Sequence, residues 1–149
     1  MISGGKKIPA EIEGKSIFFC RHVPELLIFP SKKMSLPTGY LKGKRVVAFA
    51  GIAYPDRFRN TLKQIGVEIV FFKSFPDHYW YKQKEIEELA RYKEKRKADF
   101  LITTEKDWAR IMDKNFDIGY IKIGFDIEDK EAFFRIIDER YKKNTNKSH

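Results

Sequence analysis

From residue 45 onward, short apolar runs alternate with segments of helical period, and this alternation constrains the fold more than any other feature. R-V-V-A-F-A-G-I (45–52) is a near-continuous apolar run, the pattern of a strand covered on both faces. Pro55 then opens P-D-R-F-R-N-T-L-K-Q-I-G, where Phe58, Leu62 and Ile65 share one helical face and Gly66 ends the helix. V-E-I-V-F-F-K-S-F (67–75), D-F-L-I-T-T (99–104) and G-Y-I-K-I-G-F (119–125) read as three more strands. K-Q-K-E-I-E-E-L-A-R-Y-K-E-K-R-K carries only Ile86, Leu89 and Ala90 on its apolar stripe, which predicts a largely exposed helix. Thr104 is placed to cap a helix reaching Met112, with Asp107 as its partner. D-K-E-A-F-F-R-I-I-D-E-R-Y-K-K closes the chain as a helix, using Phe133, Ile136, Ile137 and Tyr141. Strands separated by helices predict an α/β fold: a mainly parallel sheet of four to five strands in a Rossmann-like, three-layer domain.

The first 44 residues differ. K-S-I-F-F-C-R-H-V-P-E-L-L-I-F-P contains a strand and then a Pro-interrupted apolar stretch, and S-K-K-M-S-L-P-T-G-Y-L-K-G-K reads as a loop or linker. The expected division is therefore a strand-and-linker segment over 1–44 and an α/β domain over 45–149.

Composition narrows the function classes. A chain of 149 residues, 42% hydrophobic and 15% aromatic, is long enough to bury a core. No apolar run approaches the roughly 18 residues of a membrane span. Met1–Lys7 lacks the apolar stretch of a secretory signal. The single Cys20 excludes an internal disulfide and any Cys-rich zinc site, which fits a reducing cytosol. The net charge of +9 calls for an anionic environment: nucleic acid, phosphorylated ligands or acidic lipid. Its densest stretches, R-Y-K-E-K-R-K (91–97) and the tail, lie where helices show a solvated face.

Parallel α/β sheets carry their chemistry beyond the C-terminal ends of the strands. Three loops qualify. In A-G-I-A-Y-P-D-R-F, Gly51 permits close backbone approach to a ligand, or makes a plain turn. In S-F-P-D-H-Y-W-Y, Asp77 stands beside His78, one of only three histidines. The carboxylate can orient the imidazole and leave its other nitrogen to handle a proton; Pro-Asp is also ordinary turn chemistry. In T-T-E-K-D-W-A-R-I, Thr103, Thr104, Lys106 and Asp107 gather hydroxyls, an ammonium and a carboxylate at a helix start. Capping accounts for Thr104 but not for Lys106, whose charge opposes the helix dipole and points to an anionic ligand or a partner carboxylate. His22, within an apolar strand, reads as a packed residue. P-A-E-I-E-G-K-S (9–16) ends like a phosphate-binding loop, but Pro9 occupies the place of the first glycine and a strand follows.

Three segments, V-V-A-F-A-G-I-A-Y-P-D-R-F, F-F-K-S-F-P-D-H-Y-W-Y and L-I-T-T-E-K-D-W-A-R-I, in this order and spacing, resemble the C-terminal half of tetraacyldisaccharide 4'-kinase, the lipid A 4'-kinase. G-K-S-I-F-F-C-R-H-V-P-E-L-L-I resembles the segment before that half, so the resemblance covers nearly the whole chain. It implies a two-domain enzyme related to P-loop nucleoside triphosphate hydrolases. Such an enzyme transfers the ATP γ-phosphate, with magnesium, to the 4'-hydroxyl of an acylated disaccharide 1-phosphate at the cytoplasmic face of the inner membrane. The resemblance places the P-loop, the metal-binding acid and the catalytic aspartate in an N-terminal half. The chain is thus expected to hold no metal and to be inactive without that partner half. Its own contribution would be the F-P-D-H histidine, His78, with Asp77 beside it, assisting activation of the attacking hydroxyl across an interdomain cleft. Gly51, Thr103, Thr104, Lys106 and Asp107 would line the same cleft, facing nucleotide, substrate or the closing domain. Ala53 and Tyr54 replace the Gly and Asn of many members and argue against close backbone approach there.

An anionic inner-membrane surface is an expected partner and peripheral cytoplasmic association the expected location. The alternative is a non-catalytic basic α/β interaction or nucleic-acid-binding domain. RNA is the weaker partner, because Tyr79, Trp80 and Tyr81 are consecutive rather than spread across a sheet face.

Overall fold

The computed structural model describes residues 16–145. Met1–Lys7, all of the P-A-E-I-E-G-K-S stretch except Ser16, and the end of the basic tail lie outside the described residues.

The chain divides into two compact units, one of His22–Gly124 and one of the segments up to Arg21 and from Phe125 onward. The larger unit holds most of a six-stranded sheet ordered β2-β1-β6-β5-β3-β4. Its strands are β1 (Cys20–Phe29), β2 (Met34–Pro37), β3 (Arg45–Ala50), β4 (Glu68–Ser74), β5 (Phe100–Thr104) and β6 (Ile118–Ile127). The helices are α1 (Pro55–Ile65), α2 (Gln83–Lys95), α3 (Glu105–Ala109) and α4 (Lys130–Thr145). β3 pairs in parallel with both β4 and β5, and β5 in parallel with β6. β1 and β2 pair as an antiparallel hairpin, Leu26 facing Pro37 and Phe29 facing Met34.

The central strand explains the layering. Along β3, Val46, Ala48 and Ala50 pack into one buried cluster with Phe58 and Leu62 of α1. Val47 and Phe49, on the other face, pack with Ile86 and Leu89 of α2. Strand side chains alternate faces, so a continuous apolar run is needed when helices cover both. Each fully buried aliphatic or phenyl side chain contributes roughly 1.5–3 kcal/mol. α1 ends as its sequence predicts: Gly66 adopts φ +92° and its N–H reaches the Leu62 and Lys63 carbonyls.

Four local expectations are corrected. The sheet has six strands rather than four to five. The additional edge strand β2 lies in the segment read as linker, where Met34 and Leu36 alternate inward against the core. Pro24 does not interrupt β1, because it precedes the Leu26–Phe29 stretch paired with β2, where its missing N–H costs no bond on that side. His22, expected to be packed, is exposed at the start of the same strand. Finally, α3 stops at Ala109 instead of Met112. The Arg110 carbonyl accepts the Tyr81 N–H at 3.2 Å and Ile111 forms a parallel bridge with Tyr81, which diverts the chain from helix.

The smaller unit has its own internal contacts. Phe18 packs edge-on against Phe133 of α4 with centroids 5.2 Å apart. The Arg21 guanidinium donates to Asp126 at 2.8 Å, and the Glu128 N–H to the Phe19 carbonyl at 2.9 Å. α4 half-buries Phe133 and Ile136 and leaves Phe134, Ile137 and Tyr141 exposed.

Candidate functional site

The loops after β3, β4 and β5 leave the sheet at the C-terminal ends of three adjacent parallel strands, and they are tied to one another by backbone. The Phe75 N–H donates to the Ala50 carbonyl at 2.8 Å, and the His78 N–H to the Gly51 carbonyl at 3.1 Å. Gly51 is required by this junction. A Cβ there would stand 2.8 Å from the Tyr81 hydroxyl oxygen, 3.0 Å from the Pro76 carbonyl oxygen and 3.1 Å from Tyr79 Cβ. The space beside Gly51 is therefore filled by the second loop.

His78 occupies a left-handed backbone conformation, φ +60°, which costs a non-glycine residue of order 1 kcal/mol or more. Two acceptors hold it there: the Gly51 carbonyl, and Asp77 Oδ1, which receives the same N–H at 2.9 Å. The turn reading and the Asp–His reading of this stretch thus describe one structure, since one Asp77 oxygen stabilises the turn while the other faces the ring. His78 Nε2 lies 3.5 Å from Asp77 Oδ2, and both side chains are open to solvent, 77% and 45% exposed. The other ring nitrogen is engaged. Arg110 Nη2 lies 2.8 Å from His78 Nδ1.

Arg110 is the residue that sequence reasoning missed. Its side chain is only 17% exposed. Nη1 lies 3.5 Å from the Gly51 carbonyl oxygen and 3.9 Å from Asp107 Oδ1, so one guanidinium touches all three loops. The available signal was weak: a single arginine three residues after Asp107, one helical turn along, in a chain rich in basic residues.

Asp107 and Thr103 are fully buried. The Thr103 hydroxyl donates to the Phe49 carbonyl at 2.8 Å, locking β5 to β3. Asp107 Oδ2 accepts the Thr104 hydroxyl at 2.6 Å and Oδ1 the Tyr81 hydroxyl at 3.1 Å. Thr104 also accepts the Asp107 N–H at 3.1 Å, the N-cap that the sequence predicts. Burial, then the adjacent Asp107 charge and hydrogen bond, push the Tyr81 phenol well above the ordinary tyrosine range. Lys106 is exposed at the first turn of α3. The β4–α2 loop is anchored at its far side by Tyr79, whose hydroxyl donates to Glu85 of α2, a hydrogen bond that raises the Tyr79 pKa.

The seven sequence-named residues therefore fall into two sets. Asp77, His78 and Lys106 face solvent, whereas Gly51, Thr103 and Asp107 are interior, with Thr104 half-buried at the cap between them. An open imidazole beside an open carboxylate, backed by a nearly buried guanidinium, can hold and orient a hydroxyl or an oxyanion. Among the described residues no three or more His, Cys, Asp or Glu side chains gather into a metal-binding cluster.

Residues 2–142 match the protein family described as LpxK, tetraacyldisaccharide-1-P 4'-kinase. The tetraacyldisaccharide 4'-kinase of Syntrophus aciditrophicus is 31% identical over 134 residues, which is 88% of this chain and 36% of that protein. That of Desulfatibacillum aliphaticivorans is 35% identical over 132 residues, 81% of this chain and 36% of its own length. Among solved structures, LpxK from Aquifex aeolicus in complex with ATP matches with a TM-score of 0.59 and 25% identity, covering 85% of this chain and 36% of that one. The chain thus spans little more than a third of the length of these relatives.

Proposed function

This chain belongs to the tetraacyldisaccharide-1-P 4'-kinase family, and on that premise we propose that it supplies the C-terminal half of a lipid A 4'-kinase. In this reading it works with an N-terminal half that carries the P-loop. The reaction moves the ATP γ-phosphate to the 4'-hydroxyl of an acylated disaccharide 1-phosphate. The observation that carries the reading is the convergence of the A-G-I, F-P-D-H and T-T-E-K-D loops at one edge of a parallel sheet. There they present His78 and Asp77 outward on a braced scaffold.

Phosphoryl transfer asks a protein mainly for positioning and electrostatic stabilisation around an in-line attack. His78 and Asp77 meet that need as a polar pair that receives the attacking hydroxyl once the two halves close. Closure also excludes water from the reacting atoms. When bound, magnesium would neutralise charge on the phosphates, and its ligands belong to the partner half. Lys106, exposed in α3 directly after β5, carries a charge suited to phosphate.

Peripheral association with the cytoplasmic face of an anionic membrane is part of the proposal. It is supported by the net charge of +9 and by the rule that each basic side chain near an anionic surface contributes ~1 kcal/mol of attraction. No described helix is long and apolar enough to cross a membrane.

The test is complementation. An N-terminal half from this family, shown to fold and bind ATP, is mixed with this chain and assayed for ATP-dependent phosphorylation of tetraacyldisaccharide 1-phosphate. Activity is expected only in the mixture, and His78→Ala should lower it by ~10²–10⁴-fold. A mixture as active with His78→Ala as with the original chain would remove His78 from the chemistry. A silent mixture would remove the kinase reading.

A further inference from the structure

We propose that Arg110, braced by the buried Asp107, is a positioning residue that fixes the His78 ring with its proton on Nε2. The outward nitrogen of His78 is then a hydrogen-bond donor, and the Asp77 carboxylate is the acceptor of the pair.

A guanidinium carries donors only and stays protonated in proteins. The ring nitrogen 2.8 Å from Arg110 Nη2 is Nδ1, so Nδ1 must offer its lone pair. A neutral imidazole has one N–H, which therefore sits on Nε2, the nitrogen 3.5 Å from Asp77 Oδ2. That distance is too long for a strong hydrogen bond, so the N–H remains available to an incoming oxygen. The arrangement assigns opposite roles to two adjacent exposed groups. Asp77 takes a hydrogen bond from a hydroxyl, and His78 gives one to an oxygen bearing negative charge.

The brace is built from the inside outward. Asp107 is fully buried and held through both oxygens by Tyr81 and Thr104. Its carboxylate lies 3.9 Å from Arg110 Nη1, and the Arg110 carbonyl accepts the Tyr81 N–H. Both ends of Arg110 are thus held, and the Gly51 carbonyl that faces Nη1 also receives the His78 N–H. The histidine backbone and ring are fixed against one shared frame, which is how a site holds a group to the tolerance catalysis needs. That the hydroxyl is a sugar 4'-OH and the anionic oxygen a phosphoryl oxygen rests on the kinase reading. The tautomer rests on this geometry alone.

The experiment is nitrogen NMR of the imidazoles in the whole chain, at a pH where the rings are neutral, with His78 assigned through His78→Gln. The Nε2–H form is expected alone in the original chain. In Arg110→Met, checked for fold by its backbone amide spectrum, the mixture of both forms typical of free histidine should return. A proton on His78 Nδ1 in the original chain, or the same mixture with and without Arg110, would overturn the proposal. If Arg110→Met does not fold, comparison of the original chain with free histidine decides alone. In the complemented kinase, Arg110→Met should lower kcat by up to about 10²-fold with KM little changed. A silent kinase mixture beside a pure Nε2–H signal counts against the kinase reading only; an active mixture beside a free-histidine signal counts against the Arg110 brace only.

Discussion

The hydroxyl of Tyr81 donates to the carboxylate of Asp107 across 3.1 Å, with both residues fully buried. This contact joins the β4–α2 loop to α3 beneath the exposed His78, so the open chemistry of the site stands on an interior polar pair. Removing the hydroxyl in Tyr81→Phe leaves Asp107 one donor short. A loss of about 1–3 kcal/mol is expected, read as a lowered urea midpoint with an unchanged slope.

The same pair predicts alkaline sensitivity. The folded protein raises the Tyr81 pKa above its unfolded value, chiefly by burial. The stability this provides is complete below the unfolded tyrosine pKa of about 10. It is lost as pH rises above that, because the unfolded chain releases the proton while the folded one retains it. Each pH unit in that range costs about 1.4 kcal/mol. Urea titrations above pH ~10 should therefore show a steeper decline for the original chain than for Tyr81→Phe. Equal slopes would mean that the phenol is not held neutral by the fold.

Gly51→Ala should cost about 1–3 kcal/mol, because its Cβ would meet the Tyr81 hydroxyl at 2.8 Å and the Pro76 carbonyl at 3.0 Å. Thermal unfolding measures the loss, and the amide resonances of residues 76–81 should move with it. An unperturbed, equally stable variant would show that the two loops are not packed on one another.

At His78 stability and function should separate. With φ at +60°, His78→Gly relieves a left-handed conformation that costs other residues roughly 1–2 kcal/mol, set against glycine's larger loss of backbone freedom. His78→Gly is expected to be at least as stable as His78→Ala in thermal unfolding, and just as inactive in the complementation assay. A less stable glycine variant would mean that the strain is absent.

Lys106 is exposed, so Lys106→Ala should leave stability within about 0.5 kcal/mol. In the complemented enzyme it should raise the KM for ATP or for the disaccharide phosphate, and whichever rises tells which anion the lysine faces. No change in either would confine Lys106 to the solvated surface.

The sequence by itself determined the layering and the edge of the sheet at which the candidate loops meet. A continuous apolar strand at 45–50 demands cover on both faces. Helix signals at Pro55 and Gly66 act locally, and parallel strands direct their loops to one edge. The motifs around Gly51, Asp77, His78 and Thr103–Asp107 stood out because they fall at those strand ends, although residue type alone left Gly51 and Asp77 open to a plain turn reading. Periodicity carried no comparable signal for β2, whose two inward residues form too brief an alternation to stand out, or for the early end of α3, which follows from pairing with Tyr81 in another loop.

Tertiary structure alone decided which of the named residues are interior and which are open. Thr103 and Asp107 have the composition of a ligand site and the burial of a scaffold; Asp77 and His78 stand in solvent. It also brought in Arg110, 32 positions from His78 along the chain, whose role depends on a distance that no local pattern encodes. Residue type states what a side chain can donate or accept. Only the packing of three loops states what it has already been given.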